Sequence, residues 1–168
     1  MELWDLYDAD RKQLGRTRER GKLNAGEYHV VVEIWTVDNG GNILLTLRSP
    51  EKDMYPNTWE CTGGSALVGE SSIAAAVREL FQETGISASE EELILIDSER
   101  GDSAFFDVYI LRRDTPLSEL VFQQGETVDA RWVTMEEFET IYSDGTFAFP
   151  NERRIEALRA ELETRAHM

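Results

Sequence analysis

A run of β-branched and aromatic residues from Tyr28 to Val37, YHVVVEIWTV, predicts a strand. Asp38-Asn39-Gly40-Gly41 turns the chain, and NILLTLR supplies the returning strand. Arg48 to Asn57 is a charged loop with two prolines, after which Trp59 re-enters the sheet. Gly63-Gly64 is expected to break regular structure. The pattern then changes period: Ile73, Ala76, Val77, Leu80 and Phe81 recur at helical spacing behind a cap at Ser71 or Ser72, and Gly85 ends the helix. LILID and FFDVYILR give two further strands around a turn at Gly101-Asp102, and RWVT a short one. Thr134, three residues before Glu137, forms a capping box for MEEFETIY. Asn151 caps the last helix, within 151–168. Residues 1–27 are a polar arm, a small hairpin turning near Asp8–Asp10 or an irregular segment, attached through Trp4, Leu6, Tyr7 and Leu14. The order is strands, helix, strands, two helices. It predicts a single mixed α/β domain over 1–168 without the regular alternation of a doubly wound sheet.

Composition narrows the partners. The net charge of −16 argues against a nucleic-acid polymer, which needs a basic footprint. It leaves phosphorylated small molecules open, because a metal and a few local cations reverse the field inside an acidic surface. No apolar run reaches the roughly 18 residues of a membrane span. The opening MELWDLYDADRK lacks the basic and apolar parts of a signal peptide. Cys61 is the single cysteine, which suits a reducing cytoplasm.

The chemistry concentrates on the first helix. Glu79 and Glu83 lie four residues apart, so both carboxylates occupy one face, one turn apart. Like charges at that spacing repel, and a shared divalent cation converts the cost into a site. Their hard oxygens suit Mg²⁺ or Mn²⁺. Glu70 falls near the helix start, and Arg78 can reach a neighbouring carboxylate and hold its rotamer.

The segment 64–86 resembles the signature of the Nudix hydrolases, G-x5-E-x7-R-E-U-x-E-E-x-G-U with U aliphatic. Gly64, Glu70, Arg78, Glu79, Leu80, Glu83, Gly85 and Ile86 match, and Gln82 stands where the first of the paired glutamates belongs. The resemblance implies a Nudix-type α/β/α sandwich with a mixed central sheet and a catalytic loop-helix-loop. It implies cleavage of a diphosphate linkage in a nucleoside diphosphate derivative or related organic diphosphate. Glu79 and Glu83 would be metal ligands, Gly63 would offer its carbonyl, and Glu70 and Arg78 would orient the glutamates. Glu126, on a later loop, fits a ligand or general base. Gln82 can coordinate through oxygen but brings no charge, which leaves a weakly active or purely binding protein as an alternative. Arg48 and Lys52 are candidate phosphate contacts.

WDLYD, Gly26–His29, the stretch Arg48–Lys52, and Pro56 with Trp59 also resemble the subgroup that includes isopentenyl-diphosphate isomerases. Those enzymes use a cysteine near the first glycine of the signature; Cys61 is offset by about three residues, so the isomerase reading is the alternative. His29 is either a sheet-edge residue or a substrate contact. Trp35, Tyr55 and Phe106 are core residues or a substrate wall. The last helix and the N-terminal arm make a homodimer an expectation.

Overall fold

The computed structural model describes residues 2–166. A hairpin of β1 (Leu3–Tyr7) and β2 (Gln13–Glu19) precedes a seven-stranded sheet. The sheet comprises β3 (His29–Val37), β4 (Ile43–Arg48), β5 (Trp59–Glu60), β6 (Thr62–Ser65), β7 (Ile94–Arg100), β8 (Ala104–Arg112) and β9 (Thr127–Val133). The helices are α1 (Ser72–Thr84), α2 (Met135–Ser143) and α3 (Glu152–Ala166). β3 runs parallel to β8 and antiparallel to β4 and β6, which makes the sheet mixed.

Both faces of the sheet are covered, so its central strands are apolar on both sides. Val30, Val32 and Ile34 of β3 join Phe105 and Tyr109 of β8 against Ala75, Ala76 and Leu80 of α1. On the other face Trp35, Val37, Val108 and Ile110 pack against Phe138 and Ile141 of α2 and Ile155 and Leu158 of α3. This is the expected α/β/α sandwich. Burying each Leu or Ile of these layers contributes roughly 1.5–3 kcal/mol.

Several local expectations are refined. The arm is a hairpin: the Asp8 carboxylate accepts from the amides of Asp10 and Lys12, both at 2.9 Å, and closes the turn. Ser71 caps α1, its hydroxyl accepting from the Ala74 amide at 3.2 Å. Gly85, at φ 79°, ends it. The box at Thr134 and Glu137 forms as expected, and Asn151 accepts from the Arg154 amide at 3.2 Å. RWV of the expected RWVT is the end of a longer strand whose first half, TVDA, reads as loop because of its charge and the nearby Gly125; pairing with β4 extends it, and Thr134 lies beyond it as the cap of α2.

Gly63 and Gly64 do not break regular structure. They are the middle of β6, opposite Glu33 and Val32. A Cβ on Gly63 would come 2.8 Å from the Val32 carbonyl oxygen, and one on Gly64 only 2.4 Å from the Glu79 carboxylate. Glycine here serves close approach in place of a turn. The last two residues of the expected C-terminal helix lie outside the described residues.

Candidate active site

β6 and α1 set the geometry of the site. The loop between them brings Glu70 beneath Arg78, and the guanidinium becomes a hub. Its Nε donates to Glu70 Oε2 at 2.7 Å and Nη2 to Glu70 Oε1 at 2.9 Å. Nη2 also donates to the Ser65 carbonyl at 3.0 Å, while Nη1 donates to Glu79 Oε1 at 2.8 Å and Gln82 Oε1 at 3.1 Å. Glu70 accepts in addition from the Leu67 amide at 2.7 Å. Burial works against the ionised form of Glu70, but Arg78 and that amide hold its carboxyl below the usual range.

The pair one turn further along is treated differently. Glu79 is 8% exposed, and desolvation raises its proton affinity despite Arg78. Glu83 is raised well above the ordinary carboxylate value, first by desolvation and then by Glu60 and Glu79. Its single hydrogen bond comes from the Gly63 amide at a long 3.4 Å. Among the described residues no lysine or arginine pairs with it.

Glu60 is the residue that sequence reasoning missed. It sits on β5, three residues before Gly63, and burial raises its carboxyl even though Arg48 Nη1 donates to it at 2.8 Å. Only its proximity to Glu83 marks it, and proximity across a sheet leaves no local pattern in the chain. Glu126 stands immediately before β9, joined to the loop after β4 by the Ser49 amide, which donates to its carbonyl at 2.9 Å. Its carboxylate pairs with Lys52.

The structure thus brings together Gly63, Glu70, Arg78, Glu79, Gln82 and Glu83, with Lys52 and Glu126 as a second pair close to Glu60. It gives Arg48 a task other than an open phosphate contact. Arg48 is 9% exposed, with Nε and Nη2 on the Met54 carbonyl at 3.1 and 2.8 Å, Nη1 on Glu60, and the guanidinium over the Phe149 ring. Gln82 is exposed and faces Arg78. His29 stacks on Trp4 with ring centroids 3.8 Å apart, Trp35 belongs to the core, and Tyr55 is exposed. Cys61 is buried, and desolvation pushes its thiol well up, so it holds no ready thiolate.

The donor chemistry fits a hard divalent cation. Desolvated glutamate oxygens, crowded by like charge and seated against a glycine cradle, gain from a cation. Among the described residues no three acidic, histidine or cysteine side chains converge closely enough to enclose a metal alone. A bound ion would therefore draw further oxygens from backbone or ligand, as Mg²⁺ commonly does.

A mixed sheet between helices thus carries a loop and helix that crowd glutamates against a Gly-Gly strand. The NUDIX domain model matches residues 27–156. An uncharacterised Nudix hydrolase of Listeria monocytogenes is 38% identical over 149 residues, covering 88% of each chain. A prenyl-diphosphate phosphatase of Methanosarcina mazei is 29% identical over 133 residues, covering 77% of this chain and 78% of its own. The crystal structure of DR0079 from Deinococcus radiodurans superposes with a TM-score of 0.75 at 23% identity, over 94% of this chain and 98% of that one. The chain belongs to the Nudix family and is an enzyme of the diphosphate-hydrolysing kind. Divalent metals typically serve hydrolases of this family. Among the described residues no helix is long and apolar enough to cross a membrane.

Proposed function

We propose that this enzyme hydrolyses the diphosphate linkage of a small organic or nucleoside diphosphate with Mg²⁺ or Mn²⁺ held by Glu79 and Glu83. The observation that carries the reading is a contrast along the loop and helix: Arg78 pairs with Glu70 and one oxygen of Glu79, while Glu83 is desolvated among other acids with no cationic partner among the described residues, a cost that a bound cation would relieve. The cation, when bound, offsets phosphate charge and lowers the proton affinity of an attacking water. Arg78 and Glu70 hold Glu79 in its rotamer, Gly64 lets that carboxylate lie against β6, and the Gly63 carbonyl is a further oxygen donor. Gln82 serves as an acceptor for Arg78 or as a neutral ligand. Glu126, exchanging Lys52 for water, accepts the proton, and the released Lys52 ammonium meets the outer phosphate. Arg48 supports this indirectly by fixing Glu60.

The prenyl-diphosphate phosphatase likeness favours organic diphosphates among the candidate substrates. An isomerase on this fold would draw on Cys61, whose burial counts against it; a binding protein would hold the ligand without turnover. In the same reading the enzyme is cytoplasmic and pairs as a homodimer, which light scattering tests. The deciding experiment is a screen of nucleoside, nucleotide-sugar and prenyl diphosphates with Mg²⁺ and Mn²⁺. The reading expects metal-dependent release of phosphate or a monophosphate. Isomerised product without phosphate, or affinity without turnover, would overturn it.

A further inference from the structure

The N-terminal hairpin precedes the span that the family model matches, yet it grips the loop and helix that carry the glutamates. β1 holds the loop. The Leu3 carbonyl accepts from the Val68 amide at 2.9 Å, and the Asp5 carboxylate from the Gly69 amide at 2.8 Å, immediately before Glu70. The hairpin turn holds the helix. Arg11 donates in a fork to Asp107, from Nη1 at 2.8 Å and Nη2 at 2.5 Å. Asp107 is 3% exposed and also accepts from Ser72 at 2.5 Å and Ser98 at 2.7 Å. Ser72, the first residue of α1, shares a further hydrogen bond with the Tyr109 hydroxyl at 2.7 Å.

Arg11 itself has φ 64°, a conformation that costs a non-glycine residue energy and persists only where its surroundings over-determine it. Asp8 fixes the turn from one side, and the buried carboxylate fixes the guanidinium from the other. Ser72 lies two helical turns before Glu79, whose carboxylate approaches Gly64 so closely that no Cβ fits between them. A small displacement of α1 along the sheet is therefore felt at Glu79.

We propose that Arg11, acting through Asp107 and Ser72, is a positioning residue: the hairpin sets how α1 seats against β6, and hence where Glu79 and Glu83 stand relative to Gly63 and Gly64. The consequence for metal rests on the ligand reading given above; the seating of α1 does not. Arg16 supplies the control. Its guanidinium bonds another buried acid, Glu27, at 3.1 and 3.2 Å, but that contact does not reach α1.

The test compares the full-length wild type with Arg11→Ala and Arg16→Ala, using amide hydrogen exchange over residues 66–84 and Mn²⁺ affinity by electron paramagnetic resonance. Arg11→Ala is expected to speed exchange across the loop and first turns of α1, to weaken Mn²⁺ binding roughly 10-fold, and to lower kcat more than it changes KM. Arg16→Ala should leave all three near wild type. If Arg11→Ala fails to fold, the double variant Arg11→Ala/Asp107→Asn removes the uncompensated buried charge and must show the same faster exchange. Wild-type exchange in a folded Arg11 variant, or equal loosening by Arg16→Ala, overturns the proposal. Absence of Mn²⁺ binding to the wild type would instead sink the ligand reading, while the exchange comparison still decides the role of the hairpin.

Discussion

Asp107, on β8 against the first residue of α1, and Glu83, in the last turn of that helix, are both acids, and the protein treats them in opposite ways. Asp107 accepts four hydrogen bonds, two from Arg11 and one each from Ser72 and Ser98. Burial alone would raise its carboxyl, but those donors hold it below its ordinary value. Glu83 accepts one long bond and faces Glu60, Glu79 and Glu126, and its carboxyl rises. Desolvation acts on both, so the placement of cations makes the difference. With 17 basic residues against 33 acidic ones, few cations are available, and Asp107 receives one while Glu83 does not. The fold supplies Asp107 with its own cation, whereas Glu83 is left without one; in the proposed reading a divalent ion fills that place.

The largest effect expected from this contrast is catalytic. Glu83→Gln should lower turnover by about 100- to 1,000-fold in a metal-dependent phosphate-release assay, the scale of losing one major electrostatic group. On the structural side, Asp107→Ala strands the Arg11 fork and two hydroxyls, and should cost about 3 kcal/mol in urea denaturation. Glu83→Gln in the same assay should be neutral or stabilising by about 0.5 kcal/mol, since it relieves repulsion. Opposite signs for these two substitutions are what the comparison requires; equal destabilisation would break it.

His29 sharpens the picture from a third environment. Desolvation, with Arg20 adding to it, lowers its pKa from 6.5 to about 4. A base depressed on folding contributes stability that is complete above pH 6.5 and lost as pH falls through 4. That shift corresponds to about 3 kcal/mol, and His29→Gln should flatten this part of the stability–pH curve. A smaller catalytic loss, about 10-fold or more, is expected from Gly64→Ala, whose new methyl displaces the Glu79 carboxylate. Ser71→Ala should cost only about 1 kcal/mol in thermal or urea unfolding, because the cap is exposed and replaceable by water.

What the sequence shows and hides follows from the range of each interaction. Helix α1, its cap and its glycine stop are local features, legible as a 3.6-residue period with terminal signals. So were β3, β4 and β8, whose apolar runs exceed what a loop tolerates. The spacing of Glu70, Arg78, Glu79 and Glu83 is also local; Glu70 and Glu79 do meet on Arg78, and Glu83 reaches Gly63. Contacts between distant segments left no such trace. Gly63-Gly64 has the composition of a turn, and only its pairing with β3 makes it a strand. Arg48 looks like a surface cation until β5 places Glu60 beside it. The Arg11–Asp107 fork joins residues 96 positions apart, and neither belongs to a motif.

The central claim is most directly tested by titrating metal-free protein with Mn²⁺ and following the free ion by electron paramagnetic resonance, for wild type and for Glu79→Gln/Glu83→Gln. The wild type should take up Mn²⁺, and the double variant, still folded by circular dichroism, should lose that uptake. Indistinguishable binding curves for the two proteins would contradict the claim that these two carboxylates hold the ion.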